Sequence, residues 1–173
     1  LADSHRVGEI LDRFPEARAL WIYRDVLDVA ASDMRYFSTD NGIRNLTPMA
    51  ERDPDNWRSA GLSEAVAAEI LSRYSTDMDP RDAAALFWFA RNALFFEQGL
   101  DHHPRVRLVR YAHFVSAPVQ EIQNLYGWLG WPVPSARLVS DVHTGSVGKA
   151  SGLVLSPDVG ELCQMLLERF DYL

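Results

Sequence analysis

Five apolar residues, Ala19-Leu20-Trp21-Ile22-Tyr23, run directly into the polar pair Arg24-Asp25, and a helical pattern starts at once behind them. The run has the length and the aromatic and branched content of a buried strand. Val26, Val29, Ala30 and Asp33-Met34 then recur at helix-like spacing, with Asp25 and Asp28 in the first turn, where acids complement the helix dipole. A strand that turns straight into a helix is half of a βαβ unit, so the sequence predicts an α/β fold with a parallel sheet. In such sheets ligands bind beyond the carboxyl ends of the strands. Arg24 stands at that end. Ser32 follows eight residues later, about two turns along the helix at ~3.6 residues per turn, so one ligand can touch both.

A second strand reads from Val106 to Tyr111 (VRLVRY). It is followed by Ala112-His113-Phe114-Val115, a turn bearing His113, and by a helix from about Pro118 to Leu129 that Gly130-Trp131-Pro132 ends. The two blocks together resemble the sulfotransferase family. Those enzymes carry a strand, an arginine and a serine eight positions on, and later a strand leading to a tyrosine, a Pro-bearing turn and a helix closing on Leu-Gly. Phe14-Pro15-Glu16-Ala17-Arg18 is also similar to the family's lead-in. The chain departs from the pattern at Ala112-His113, where the family carries Glu-Asp.

The resemblance implies a single P-loop nucleotide-binding-like domain over residues 1–173, helix-rich with a small parallel sheet. It implies sulfuryl transfer from 3′-phosphoadenosine 5′-phosphosulfate to a hydroxyl or amine acceptor, without a metal. Arg24 and Ser32 are expected to hold the 3′-phosphate and Tyr111 to lie near the nucleotide. Ser146, Gly148 and Lys149, within Asp141–Lys149, look like a variant of the family's closing loop, with glycine admitting backbone amides to an anion and lysine adding a charge. The general base falls near Asp3 or His5: a histidine suits the task by its ordinary pKa, and an aspartate would need burial. The Gly-rich loop for the 5′-phosphosulfate is expected upstream of Leu1, which makes this an N-terminally truncated domain. Two rivals stand beside this reading, a P-loop small-molecule kinase and a non-catalytic nucleotide-binding domain or fragment.

The remaining chain reads as supporting structure. Val7, Ile10, Leu11 and Phe14 form an amphipathic helical face. Residues 38–60, rich in Asn, Asp, Pro and Ser, read as a long loop, with Trp57 either anchoring it on the core or covering a ligand. Ser63 caps a helix through Tyr74. Asp79-Pro80 starts another that runs to about Gly99 and is apolar on nearly every side, hence central. Arg91-Asn92 interrupt it and must either pair with an acid or face a cavity. Ser156-Pro157-Asp158 opens the last helix, with Leu162, Met165, Leu166 and Phe170 on its core face. His102-His103 lie in a loop.

A net charge of -7 argues against a nucleic-acid binder. The one cysteine, Cys163, excludes an internal disulfide and fits a buried small residue in a reducing, cytoplasmic setting. No apolar run approaches the ~20 residues of a membrane span.

Overall fold

The computed structural model describes residues 3–150 and 152–173. Its described residues form eight α-helices and a two-stranded parallel sheet. In chain order these are α1 (Val7–Arg13), β1 (Ala19–Tyr23), α2 (Val26–Tyr36), α3 (Asn41–Ala50), α4 (Glu64–Arg73), α5 (Pro80–Glu97), β2 (Val106–Arg110), α6 (Tyr111–Ser116), α7 (Pro118–Leu129) and α8 (Pro157–Asp171). The strands pair in the register Ala19↔Val106 to Tyr23↔Arg110, so both carboxyl ends open on the same edge. No helix among the described residues is long and apolar enough to cross a membrane.

Helix α5 is the centre, packed against α2, α3, α4 and α8. It starts where the sequence indicates: the Asp79 side chain accepts from the Arg81 amide at 2.8 Å, with Pro80 in the first turn. It stops before Gly99, which adopts φ 64°. Leu86, Trp88, Phe89, Leu94 and Phe95 are all buried, each contributing about 1.5–3 kcal/mol by leaving water. One face of β1 lies on this core. Trp21 meets Phe95 with ring centroids 5.5 Å apart, and Tyr23 stacks on Phe170 of α8 at 4.5 Å. Leu20 and Ile22 point to the opposite face and are exposed. Ser63 caps α4 through the Val66 amide at 3.2 Å.

Two expectations are corrected. Residues 38–60 are not one loop: α3 occupies Asn41–Ala50. Gly42, Asn45, Leu46 and Met49 are its buried face, a spacing of a helix stripe written in residues of poor helix propensity, with tertiary packing overriding propensity. The segment after β2 is not a plain turn but the short helix α6, which places His113 on an exposed helical surface. Trp57 does anchor its segment on the core, edge-on to Phe87 at 6.3 Å.

Cys163 is fully buried, its thiol donating to the Ala85 carbonyl at 3.5 Å. Burial, with the nearby Asp82 charge, pushes the thiol from 9.0 up to about 12. The folded protein should therefore resist alkylation by iodoacetamide at pH 8 and react stoichiometrically once unfolded, as mass spectrometry would read. An acid whose pKa is raised by folding keeps its proton after the unfolded chain has lost it. The stabilisation is thus complete below pH 9 and declines as pH rises from there towards 12.

Candidate functional site

The site begins with a cap. Asp25 accepts from the Leu27 and Asp28 amides at 2.9 and 3.2 Å and so fixes the start of α2 directly after β1. Arg24 is left at the carboxyl end of the strand. Its carbonyl accepts from the Trp88 indole of α5 at 3.0 Å, which locks the backbone there. The guanidinium lies over the Tyr111 ring, 5.2 Å from its centroid, and Nη2 donates to the Ser146 carbonyl. Its Nε is buried with no hydrogen-bond partner, a donor left orphaned in a cationic side chain that is otherwise well held.

Tyr111 is the residue that follows β2, so the ends of both strands supply the site. Its hydroxyl is 2.7 Å from Ser146 Oγ. The segment carrying Ser146 returns to α2 a second time: Asp28 Oδ2 accepts from the Gly148 amide and Oδ1 from the Lys149 amide, both at 2.9 Å. Asp28 is also 3.7 Å from Arg24 Nη2. The expectation that the loop's glycine frees backbone amides for an external anion is therefore corrected. Those two amides are engaged by a carboxylate of the protein itself.

A cavity of about 90 Å³ lies among Arg24, Ser32, Arg35, Ser146 and Lys149, with Asp28 and Ala31 in its wall. Three cationic residues and three hydroxyl-bearing ones, Ser32, Tyr36 and Ser146, thus line one small space against a single carboxylate. Arg24 and Ser32 also border a larger cavity of about 210 Å³ lined chiefly by Val29, Phe37, Ala84, Phe87 and Trp88. Asp33, Arg91 and Asn92 supply its polar groups. Burial raises the Asp33 carboxyl, against a 2.7 Å hydrogen bond from Asn41 that opposes the shift. Arg91 lines the larger cavity. Its Nη1 donates to the carbonyls of Trp57, Arg58 and Ala60 at 3.0–3.3 Å, and Nη2 to Ser4 Oγ at 2.6 Å. Desolvation lowers its pKa to about 10, so it stays a cation at neutral pH.

Of the residues singled out in the sequence, Arg24, Ser32, Ser146 and Lys149 line the smaller cavity, while Tyr111 and Gly148 are bonded behind it, to Ser146 and Asp28. The structure does not place Asp3 and His5 among the residues lining either cavity. Asp3 is exposed and 3.9 Å from Arg6. His5 is half-buried against Gly61, and Ser4 between them reaches Arg91 on the floor of the larger cavity. Sequence reasoning missed Arg35 altogether and read Asp28 only as a dipole partner. The signal was present: positions 24, 28, 32 and 35 are spaced four, four and three apart, a helix-like spacing that starts just ahead of α2 and runs along it.

Compared with models of protein families, with curated proteins and with solved structures, the chain matches none.

Proposed function

We propose that this chain recognises the 3′-phosphate of 3′-phosphoadenosine 5′-phosphosulfate and belongs to an enzyme that transfers the sulfuryl group to a hydroxyl or amine. The observation that carries the reading is the convergence of Arg24, Ser32, Ser146 and Lys149 on a cavity suited in size to a small anion. Arg35 adds a cation there that the resemblance did not supply. A phosphate monoester dianion balances three cations and one carboxylate far better than a neutral ligand would. Tyr111 holds the Arg24 guanidinium from below by a cation–π contact.

In this reading the acceptor lies in the apolar cavity that shares Arg24 and Ser32 with the anion site. As the acceptor oxygen or nitrogen bonds to sulfur, the bond from sulfur to the 5′-phosphate oxygen breaks and the acceptor's proton passes to a base. Of the two base candidates, the half-buried His5 is favoured over the exposed Asp3, because its neighbour Ser4 is tied to Arg91 beneath that cavity.

Calorimetry tests donor recognition directly. Adenosine 3′,5′-bisphosphate is expected to bind at least tenfold more tightly than adenosine 5′-monophosphate, with an affinity that falls as salt is raised. Equal binding of the two nucleotides, or tighter binding of ATP than of the bisphosphate, would remove the reading.

A further inference from the structure

We infer that Asp28 is a positioning residue, whose buried carboxylate holds the 144–150 segment closed against Arg24 and so presents Ser146 and Lys149 to the anion. The inference rests on the donor-binding reading for its consequence and on geometry alone for its cause. The Asp28 side chain is only 4% exposed. An ionised carboxylate accepts hydrogen bonds and donates none, and at that depth it requires partners. It finds them in two successive amides 120 and 121 residues away, Gly148 on one oxygen and Lys149 on the other. No helix or strand covers residues 144–150, so side-chain contacts such as these hold the segment in place. The other two contacts, from Arg24 to the Ser146 carbonyl and from Tyr111 to the Ser146 hydroxyl, meet the same segment two residues earlier.

The backbone on the loop side is shaped for this contact. Gly148 has φ 72°, the left-handed region, and a Cβ built there meets nothing within 4 Å. The position is thus sensitive to backbone conformation and insensitive to side-chain volume. With both amides turned inward onto Asp28, the groups left for an external anion are side chains: Arg24, Ser32, Arg35, Ser146 and Lys149. Asp28 therefore acts through others. Its carboxylate stands in the cavity wall, where it would repel an anion, so what it gives the site is the loop it holds, together with Arg24 and Tyr111, against α2.

The test pairs backbone amide exchange with nucleotide binding in the full chain. In Asp28→Asn the carboxamide can accept at one position only, so exchange at Gly148 or Lys149 should accelerate at least tenfold. Bisphosphate affinity should fall about tenfold, while affinity for adenosine 5′-monophosphate, which lacks the 3′-phosphate, stays unchanged. A purely structural residue would weaken both nucleotides together. Because Asp28 is buried, Gly148→Ala serves as the second variant: it strains the left-handed backbone at an exposed site and should reproduce both effects in smaller degree. Gly148→Asn tolerates that conformation and should restore them. Unchanged exchange in both Asp28→Asn and Gly148→Ala overturns the inference, as does freed exchange with no loss of bisphosphate affinity. If the unaltered chain fails to prefer bisphosphate over monophosphate, donor recognition falls, and the exchange result alone then decides whether Asp28 holds the loop.

Discussion

Arg24→Ala should weaken adenosine 3′,5′-bisphosphate binding by about 100-fold, ~2.8 kcal/mol at 1.4 kcal/mol per decade, within the range seen on truncating one member of a buried charged pair. The size follows from the setting. The Arg24 side chain is 21% exposed, so its charge is poorly screened, and a ligand anion there meets a pre-oriented guanidinium rather than a mobile one. Trp88 fixes the backbone, Tyr111 supports the guanidinium, and Ser146 accepts from Nη2. The orphaned Nε gives a bound phosphate a donor to satisfy after a small rotation. Adenosine 5′-monophosphate binding should change less than threefold. Arg24→Lys should recover only part of the loss, since an ammonium supplies the charge without the planar fork. Calorimetry of the three proteins against both nucleotides reads this, and loss-free bisphosphate binding in Arg24→Ala would sink the assignment of Arg24 to the anion site. The anion site depends on α2 keeping its place, because Ser32 and Arg35 reach the cavity only through that helix.

The sequence was most legible where a local rule and a tertiary need agreed. Ala19–Tyr23 is apolar because one face packs on α5 and α8. Asp25, Ser63 and Asp79 cap helices because the chain must turn there. The strand-turn-helix pattern put Arg24 at the sheet edge, and the structure does so too. The contacts that needed two distant segments were not legible. Nothing local says that Asp28 takes the amides of Gly148 and Lys149, since an acid in the first turn of a helix already has a sufficient local reason. Arg35 went unnoticed for a similar cause: an exposed arginine on a helix is ordinary until Lys149 is seen opposite it. The hidden helix α3 shows a third kind of illegibility, in which composition argued against the element that packing imposes.

Gly42 explains why α3 forms in so unpromising a sequence, and Gly42→Ala should cost about 3 kcal/mol, at the upper end for overpacking. A Cβ at this position would lie 2.6 Å from the Ala84 nitrogen, 2.8 Å from the Ala83 carbonyl carbon and 2.9 Å from the Ala83 Cβ. Two of those atoms are backbone of the central helix, so no rotamer change relieves the clash. Alanine's advantage over glycine in a helix, about 1 kcal/mol, is too small to compensate. For a chain of this length the loss corresponds to a fall in Tm of roughly 6–12 °C. Gly127→Ala in α7, where a Cβ meets nothing within 4 Å, is the matched control and should leave Tm unchanged or slightly raised. The damage should also reach the site. Asn41, the first residue of α3, donates to Asp33 of α2 at 2.7 Å, and Asp33 and Phe37 line the apolar cavity. Moving α3 away from α5 therefore pulls on the α2 wall that carries Ser32, so bisphosphate binding in Gly42→Ala should weaken along with stability. In Gly127→Ala neither should move. Equal Tm values for the two variants would show that the α3–α5 contact yields more easily than its backbone-to-backbone character implies.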